Sequence, residues 1–283
     1  MARLKIDLRT FDIGAPVPNA EAFVVRVASQ VEESWKSGAD LVLLPEFLWL
    51  GLEQFVKGRG ATRAVAGLFW AGLWPSLSRR LARKGKAVVL GTVPFIDARG
   101  RLLNRAPILA DGRRLHQDKL HLTPWEKAFT PGDGVRLWKF KGARIAVVTC
   151  LDIEVPEIAA ALRGKAVDVV LVPSATETVL GVERVGRCAD ARAVELCCHV
   201  GVSHLVGRAR SELVDDNVGR AAFFSPSQSA FAGAFRSLSV PVVRRGNHVL
   251  SVGADPAALR RARAARAETN PARLRAGRVR VLS

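Results

Sequence analysis

The 283-residue chain is short of everything that would anchor or cross-link it. Its four cysteines are irregularly placed, which excludes a disulfide scaffold. No stretch approaches the ~18 apolar residues of a membrane-spanning helix; the longest apolar runs are short, such as Leu41 to Leu44 and Val169 to Pro173. The opening Met1-Ala2-Arg3-Leu4-Lys5-Ile6-Asp7 goes straight into alternation and lacks the apolar block of a secretory signal. There is no linker, low-complexity segment or internal repeat, so one domain over residues 1–283 is expected. These absences point to a soluble cytoplasmic protein with free thiols.

Acidic residues are also scarce. Twenty-six of them face 43 lysines and arginines, for a net charge of +17. The tail from Ala257 to Ser283 supplies +7 of it, with eight arginines and one glutamate. Such a field favours acidic partners. No basic stripe is interleaved with aromatics, however, as a nucleic-acid platform needs. A solvated arginine-rich surface is the plainer reading, and nucleic acid is not an expected partner.

What is present is a core. Half the residues are hydrophobic (49%), and their spacing alternates between two periods. Leu4, Ile6 and Leu8 read as a strand. Phe23, Val27, Val31 and Trp35 mark one face of a helix from Glu21 to Lys36. Leu41 to Leu44 is a buried strand, Ala64 to Lys84 is helical in parts with a break at Pro75, and Ala87 to Val93 is a strand. Leu102 to Ala110 and Arg113 to Gln117 form a hairpin about Asp111-Gly112. Val135 to Phe140 and Ala143 to Thr149 are strands. In the second half, helices are expected at Pro156 to Leu162, Val182 to Leu196 and Pro256 to Arg266. Strands are expected at Val167 to Val172, His199 to Val206, Ala221 to Phe224, Val240 to Val243 and Val249 to Val252. Alternating strands and helices with interspersed hairpins predict an α/β layered domain, with a mixed sheet or two sheets face to face.

Three extended runs end in a reactive side chain. Glu46 follows Leu41-Val42-Leu43-Leu44-Pro45, Lys119 follows Leu115-His116-Gln117-Asp118, and Cys150 follows Ile145-Ala146-Val147-Val148-Thr149. Ligands of α/β folds gather at carboxyl ends of strands, so a carboxylate, an ammonium and a thiol can converge there. A helix opens soon after Cys150, with Pro156 in its first turn. Helix N–H groups would lower the thiol pKa, and the Leu151 N–H would face a developing oxyanion. Taken alone, each residue also has a plain alternative: a buried strand-end cysteine, a solvated lysine, an exposed loop acid. Glu126, beyond Pro124-Trp125, can reach back into the same cleft. Cys188, Cys197, Cys198, His199 and His204 match no zinc spacing and are expected to pack in the core. Gly58-Arg59-Gly60 lacks a phosphate-loop lysine and reads as a turn.

Leu-Val-Leu-Leu-Pro-Glu-Phe, Lys-Leu-His-Leu-Thr-Pro-Trp-Glu and Val-Val-Thr-Cys-Leu-Asp-Ile-Glu-Val-Pro-Glu occur in that order. Together they resemble the nitrilase-like carbon–nitrogen hydrolase superfamily, in its amidase-type branch. Pro131-Gly132-Asp133, Val170 to Ser174, Ala191 to Glu195 and Gly253-Ala254-Asp255 extend the resemblance over nearly the whole chain. It implies a single-domain four-layer α-β-β-α sandwich and a Glu46–Lys119–Cys150 triad working through a thioester. Glu46 would be the base, Lys119 and the Leu151 N–H the oxyanion donors, and Glu126 a positioning group. No metal and no cofactor is implied.

The resemblance also implies a homodimer or larger assembly, paired through the helices at Pro156 to Leu162 and Val182 to Leu196. A small amide is the expected substrate, with nitrile or N-carbamoyl hydrolysis on the same triad as alternatives. Acyl transfer and a glutaminase role are disfavoured, because the chain has neither spans nor a synthetase domain. A non-catalytic protein binding through its basic surface is the alternative from another class. Nitrile-cleaving relatives follow the cysteine with Trp-Glu, where this chain has Leu151-Asp152. Relatives that take carboxylate-bearing substrates place arginine where it has Ile153 and Glu154. A glutamate there would disfavour an acidic substrate and favour a neutral or amine-bearing one, unless Glu154 turns away to cap the helix.

Overall fold

The computed structural model describes residues 3–56, 60–209, 211, 213–231 and 237–265. In chain order the strands are β1 (Leu4–Arg9), β2 (Phe11–Asp12), β3 (Leu41–Leu44), β4 (Ala87–Leu90), β5 (Val93–Ile96), β6 (Leu102–Ala110), β7 (Arg113–Asp118), β8 (Leu137–Phe140), β9 (Ala143–Val147), β10 (Val169–Ser174), β11 (His199–Arg208), β12 (Asp216–Asn217), β13 (Ala221–Phe224), β14 (Ser237–Ser239) and β15 (Val249–Ala254). The helices are α1 (Ala20–Lys36), α2 (Ala61–Gly67), α3 (Trp74–Leu81), α4 (Pro156–Leu162), α5 (Val179–Leu196) and α6 (Pro256–Ala264).

Two mixed sheets result. One runs β15-β1-β3-β4-β6-β5 with β7 paired to β6; the other runs β14-β13-β11-β10-β9-β8 with β2 and β12 paired to β11. The period-2 alternation of single strands explains why they stack. In β3, Leu41 and Leu43 face the other sheet, whereas Val42 and Leu44 face α1 and α3. All four are fully buried, as expected for a parallel strand covered on both faces. In β10, Val169 and Leu171 meet the first sheet, and Val170 and Val172 meet α4 and α5. Three apolar cores therefore separate four layers: helices, sheet, sheet, helices. Each buried Leu or Val contributes roughly 1.5–3 kcal/mol against exposure, and the inter-sheet core holds the two halves of the site in register.

Local chemistry sets the ends. Asn19 caps α1, accepting from the Ala22 N–H at 2.8 Å. Asp111 (φ 53°) and Gly112 (φ 78°) turn β6 into β7, and Lys141 (φ 44°) and Gly142 (φ 77°) turn β8 into β9, both as paired left-handed residues.

Several sequence expectations need correction. The strand expected over Ala87 to Val93 is two strands, broken at Gly91. There φ is +65°, and a Cβ would sit 2.1 Å from the Pro45 carbonyl oxygen. Pro75 does not break its helix; it lies in the first turn of α3, behind a π-helical turn over Leu68–Leu73 that accommodates its ring. Val240 to Val243 is no strand, and only the Gly219–Val243 bridge forms there; the edge position is taken by β14. The expected strand Val167 to Val172 starts and ends two residues later. Gly58 and Arg59, Arg266 at the expected end of the last helix, and the remaining tail arginines lie outside the described residues. Among the described residues, no helix is long and apolar enough to cross a membrane.

Candidate active site

The parallel strands β3, β9 and β10 point their carboxyl ends toward one edge of the sandwich. After β3 the chain turns sharply at Pro45-Glu46. Phe47 takes a left-handed conformation (φ 57°), and its N–H donates to Thr92 Oγ1 at 2.9 Å. The absence of a side chain at Gly91 lets Pro45 approach so closely. Lys119 follows β7, its own N–H donating to the Asn104 carbonyl. Cys150 follows β9 and opens a 3-10 turn, Cys150–Glu154, with φ at +45°. A non-glycine residue in that region is strained, and such strain clusters at functional sites.

These segments bring three side chains into a cluster with almost no water. Glu46, Lys119 and Glu126 are each 1% exposed. The Lys119 ammonium donates to Glu46 Oε1 at 2.8 Å and to Glu126 Oε2 at 2.7 Å. Glu46 Oε2 accepts from the Ala175 N–H at 3.2 Å, and Cys150 lines the same cavity as Glu46 and Lys119. Burial pushes the Glu46 carboxyl up to about 7; the Lys119 ammonium opposes that shift and the Glu126 carboxylate adds to it. Burial works against the Lys119 charge, but the facing Glu46 and Glu126 carboxylates outweigh it and hold Lys119 firmly protonated.

The thiol departs from expectation. A helix terminus was to lower its pKa, but burial and then the Glu46 carboxylate push it up to about 12, with Lys119 only partly opposing them. At rest Cys150 is a thiol. Ser174 Oγ donates to its sulfur at 3.2 Å, and the thiol faces the Ala175 carbonyl at 3.5 Å.

Other groups fasten the cluster. The Asn104 side-chain amide in β6 donates to Glu46 Oε1 at 3.0 Å and to Glu126 Oε1 at 3.2 Å, bridging the two carboxylates. The Thr123 N–H and hydroxyl donate to Glu126 Oε2. Asp152, two residues after Cys150, accepts from the N–H groups of Leu120 and His121 at 3.0 and 2.7 Å. It ties the lysine loop to the cysteine turn. Sequence reasoning missed Asn104, Asp152 and Ser174. Asp152 alone carried a signal, as a carboxylate inside the cysteine motif.

The cluster forms the floor of a cavity of about 250 Å³, smaller than pockets that take drug-sized ligands. Leu151 lines it beside Cys150, and Glu154 lines the wall. Glu154 is not an isolated charge, nor does it cap α4: its Oε2 lies 2.6 Å from Arg184 Nε on α5. Cys188, Cys197 and Cys198 stay apart from this site, and His199 bonds Ser225 Oγ while His204 bonds the Arg220 carbonyl. Among the described residues no three His, Cys, Asp or Glu side chains are placed to hold a metal ion.

Known proteins share this arrangement of layers. A solved protein of Xanthomonas campestris, described as a CN-hydrolase superfamily protein with an arsenic adduct in its active site, superposes with a TM-score of 0.71. Its identity is 21%, over 93% of this chain and 95% of that one. In sequence, a probable hydrolase of Bacillus subtilis, YhcX, is 31% identical over 218 residues, covering 75% of this chain and 42% of the relative. An (R)-stereoselective amidase of a Pseudomonas species is 32% identical over 136 residues, 47% of each chain. The match thus spans less than half the length of either curated relative. Residues 8–236 match the carbon-nitrogen hydrolase family model, and with that match over most of its length the chain belongs to the carbon–nitrogen hydrolase family.

Proposed function

We propose that the chain hydrolyses the carbon–nitrogen bond of small carboxamides through a thioester on Cys150. The observation that carries this reading is the convergence of Glu46, Lys119 and Cys150 on the floor of one small cavity. With a carboxyl near 7, Glu46 is a base matched to neutral pH. It takes the thiol proton as sulfur attacks the amide carbon. The carbonyl electron pair moves onto oxygen, where the Lys119 ammonium and the Leu151 N–H stabilise it. Collapse breaks the carbon–nitrogen bond, and Glu46 returns its proton to the leaving amine. Water then gives a proton to Glu46 and attacks the thioester; the carbon–sulfur bond breaks, the acid leaves and the thiol is restored. Lys119 stays charged throughout, held by Glu46 and Glu126.

The amide reading over the nitrile one rests on Leu151-Asp152 after the cysteine and on the amidase among the relatives. Ammonia release from a panel of small amides, nitriles and carbamoyl compounds tests it. Amide turnover lost in Cys150→Ala supports the reading; turnover that survives in that variant refutes it.

A further inference from the structure

The charges around the cavity are one-sided. Among the described residues its lining holds four carboxylates (Glu46, Glu126, Glu154 and Glu177) against two cations, Lys119 and Arg184. Both cations are already committed: Lys119 to Glu46 and Glu126, and Arg184 to Glu154. A substrate carboxylate would have to break one of these pairs. Glu177 differs. It is itself exposed, between β10 and α5, lines the cavity, and makes no ion pair among the described residues. Trp125, 67% exposed, lines the same cavity and offers an aromatic face. A free carboxylate and an indole face both favour a cation. The site is thus locally acidic on a chain of net charge +17, and nearby charges outweigh a distant, screened field.

Building on the amide-hydrolase reading, we propose that the cavity selects carboxamides whose acyl part carries an ammonium group, and that Glu177 receives it. The Glu154–Arg184 pair is a neutral wall that offers a carboxylate no free cation. Glu177, not Glu154, is then the residue that sets charge preference.

The test is calorimetric titration of the Cys150→Ala protein with pentanamide, 5-aminopentanamide and glutaramic acid. These probes share a chain length and differ in terminal charge. The ammonium probe is expected to bind about two- to fivefold more tightly than pentanamide, the worth of one exposed charge pair, and glutaramic acid more weakly than pentanamide. Adding Glu177→Gln, at an exposed position where the fold has little at stake, should bring the ammonium-to-neutral ratio to about one. Raising the salt concentration should shrink the ratio in the same direction. Equal binding of all three probes, tightest binding of glutaramic acid, no binding, or a ratio unchanged by Glu177→Gln overturns the proposal. Ammonia release from pentanamide by the intact Cys150 protein is scored separately. Turnover without charge discrimination sinks the charge preference and leaves the hydrolase reading standing; discrimination without turnover does the reverse.

Discussion

Replacing Lys119 with methionine removes the one cation from a cluster of three buried charges while roughly keeping the side-chain volume. Glu46 and Glu126 are each 1% exposed and would be left facing each other, with Asn104 as their shared donor. Breaking a buried ion pair by deleting one partner costs about 3–5 kcal/mol, a large part of the ~5–15 kcal/mol that holds a domain folded. The sign of the pH dependence follows. Glu46 already sits near 7 when folded, and losing the opposing ammonium raises it further. A raised carboxyl contributes stability at pH values below its unfolded pKa, and that contribution is lost as pH rises through the folded value. The penalty in Lys119→Met should therefore deepen by up to about 1.4 kcal/mol per pH unit between about pH 6 and pH 8. Urea unfolding followed by tryptophan fluorescence measures this. Lys119→Met/Glu126→Gln, with one acid fewer, should recover part of the loss at the higher pH. A penalty under about 1 kcal/mol at the higher pH, or one independent of pH, would refute a charged buried cluster.

Further outcomes are expected. kcat/KM should rise with pH through an apparent value near 7, as Glu46 becomes able to accept the thiol proton, with no fall just above neutrality because Lys119 stays protonated; stopped assays at constant ionic strength check this. Ser174→Ala removes the donor to the Cys150 sulfur and should lower kcat/KM and the Cys150 alkylation rate about ten- to hundredfold, since a hydrogen bond to a charged group contributes about 1.5–3 kcal/mol. Ala160 and Ala161 leave a small exposed face on α4, and Leu180 on α5 is 73% exposed; we propose pairing of two copies there. A monomeric mass by light scattering at micromolar concentration would count against it.

The cluster of Glu46, Lys119 and Cys150 could be anticipated from the sequence because each member ends an extended run: Pro45-Glu46 after four aliphatics, Lys119 after a hairpin strand, Cys150 after an aliphatic strand. Continuous apolar runs likewise exposed β3 and β10, and period-3.6 spacing exposed α1. What escaped depends on partners distant in sequence. Asn104 sits inside an ordinary strand, and its two carboxylates lie 58 and 22 residues away. Glu154 looked like a free charge because Arg184 lies 30 residues on, in another helix. The break at Gly91 comes from the approach of Pro45, a contact between adjacent strand ends. The thiol was misjudged for a related reason. A helix terminus is visible in sequence, whereas the burial and the facing carboxylate that outweigh it are not.

The thioester is the central claim, and trapping it is the most direct test. The intact protein, mixed with a small amide and acid-quenched within one turnover, should gain the mass of the acyl group, and peptide mapping should place it on Cys150. Glu46→Gln should form little of it, for want of a base. Hydrolysis that proceeds at full rate with no acyl mass on Cys150, or an acyl group on Cys188, Cys197 or Cys198 instead, would contradict the mechanism.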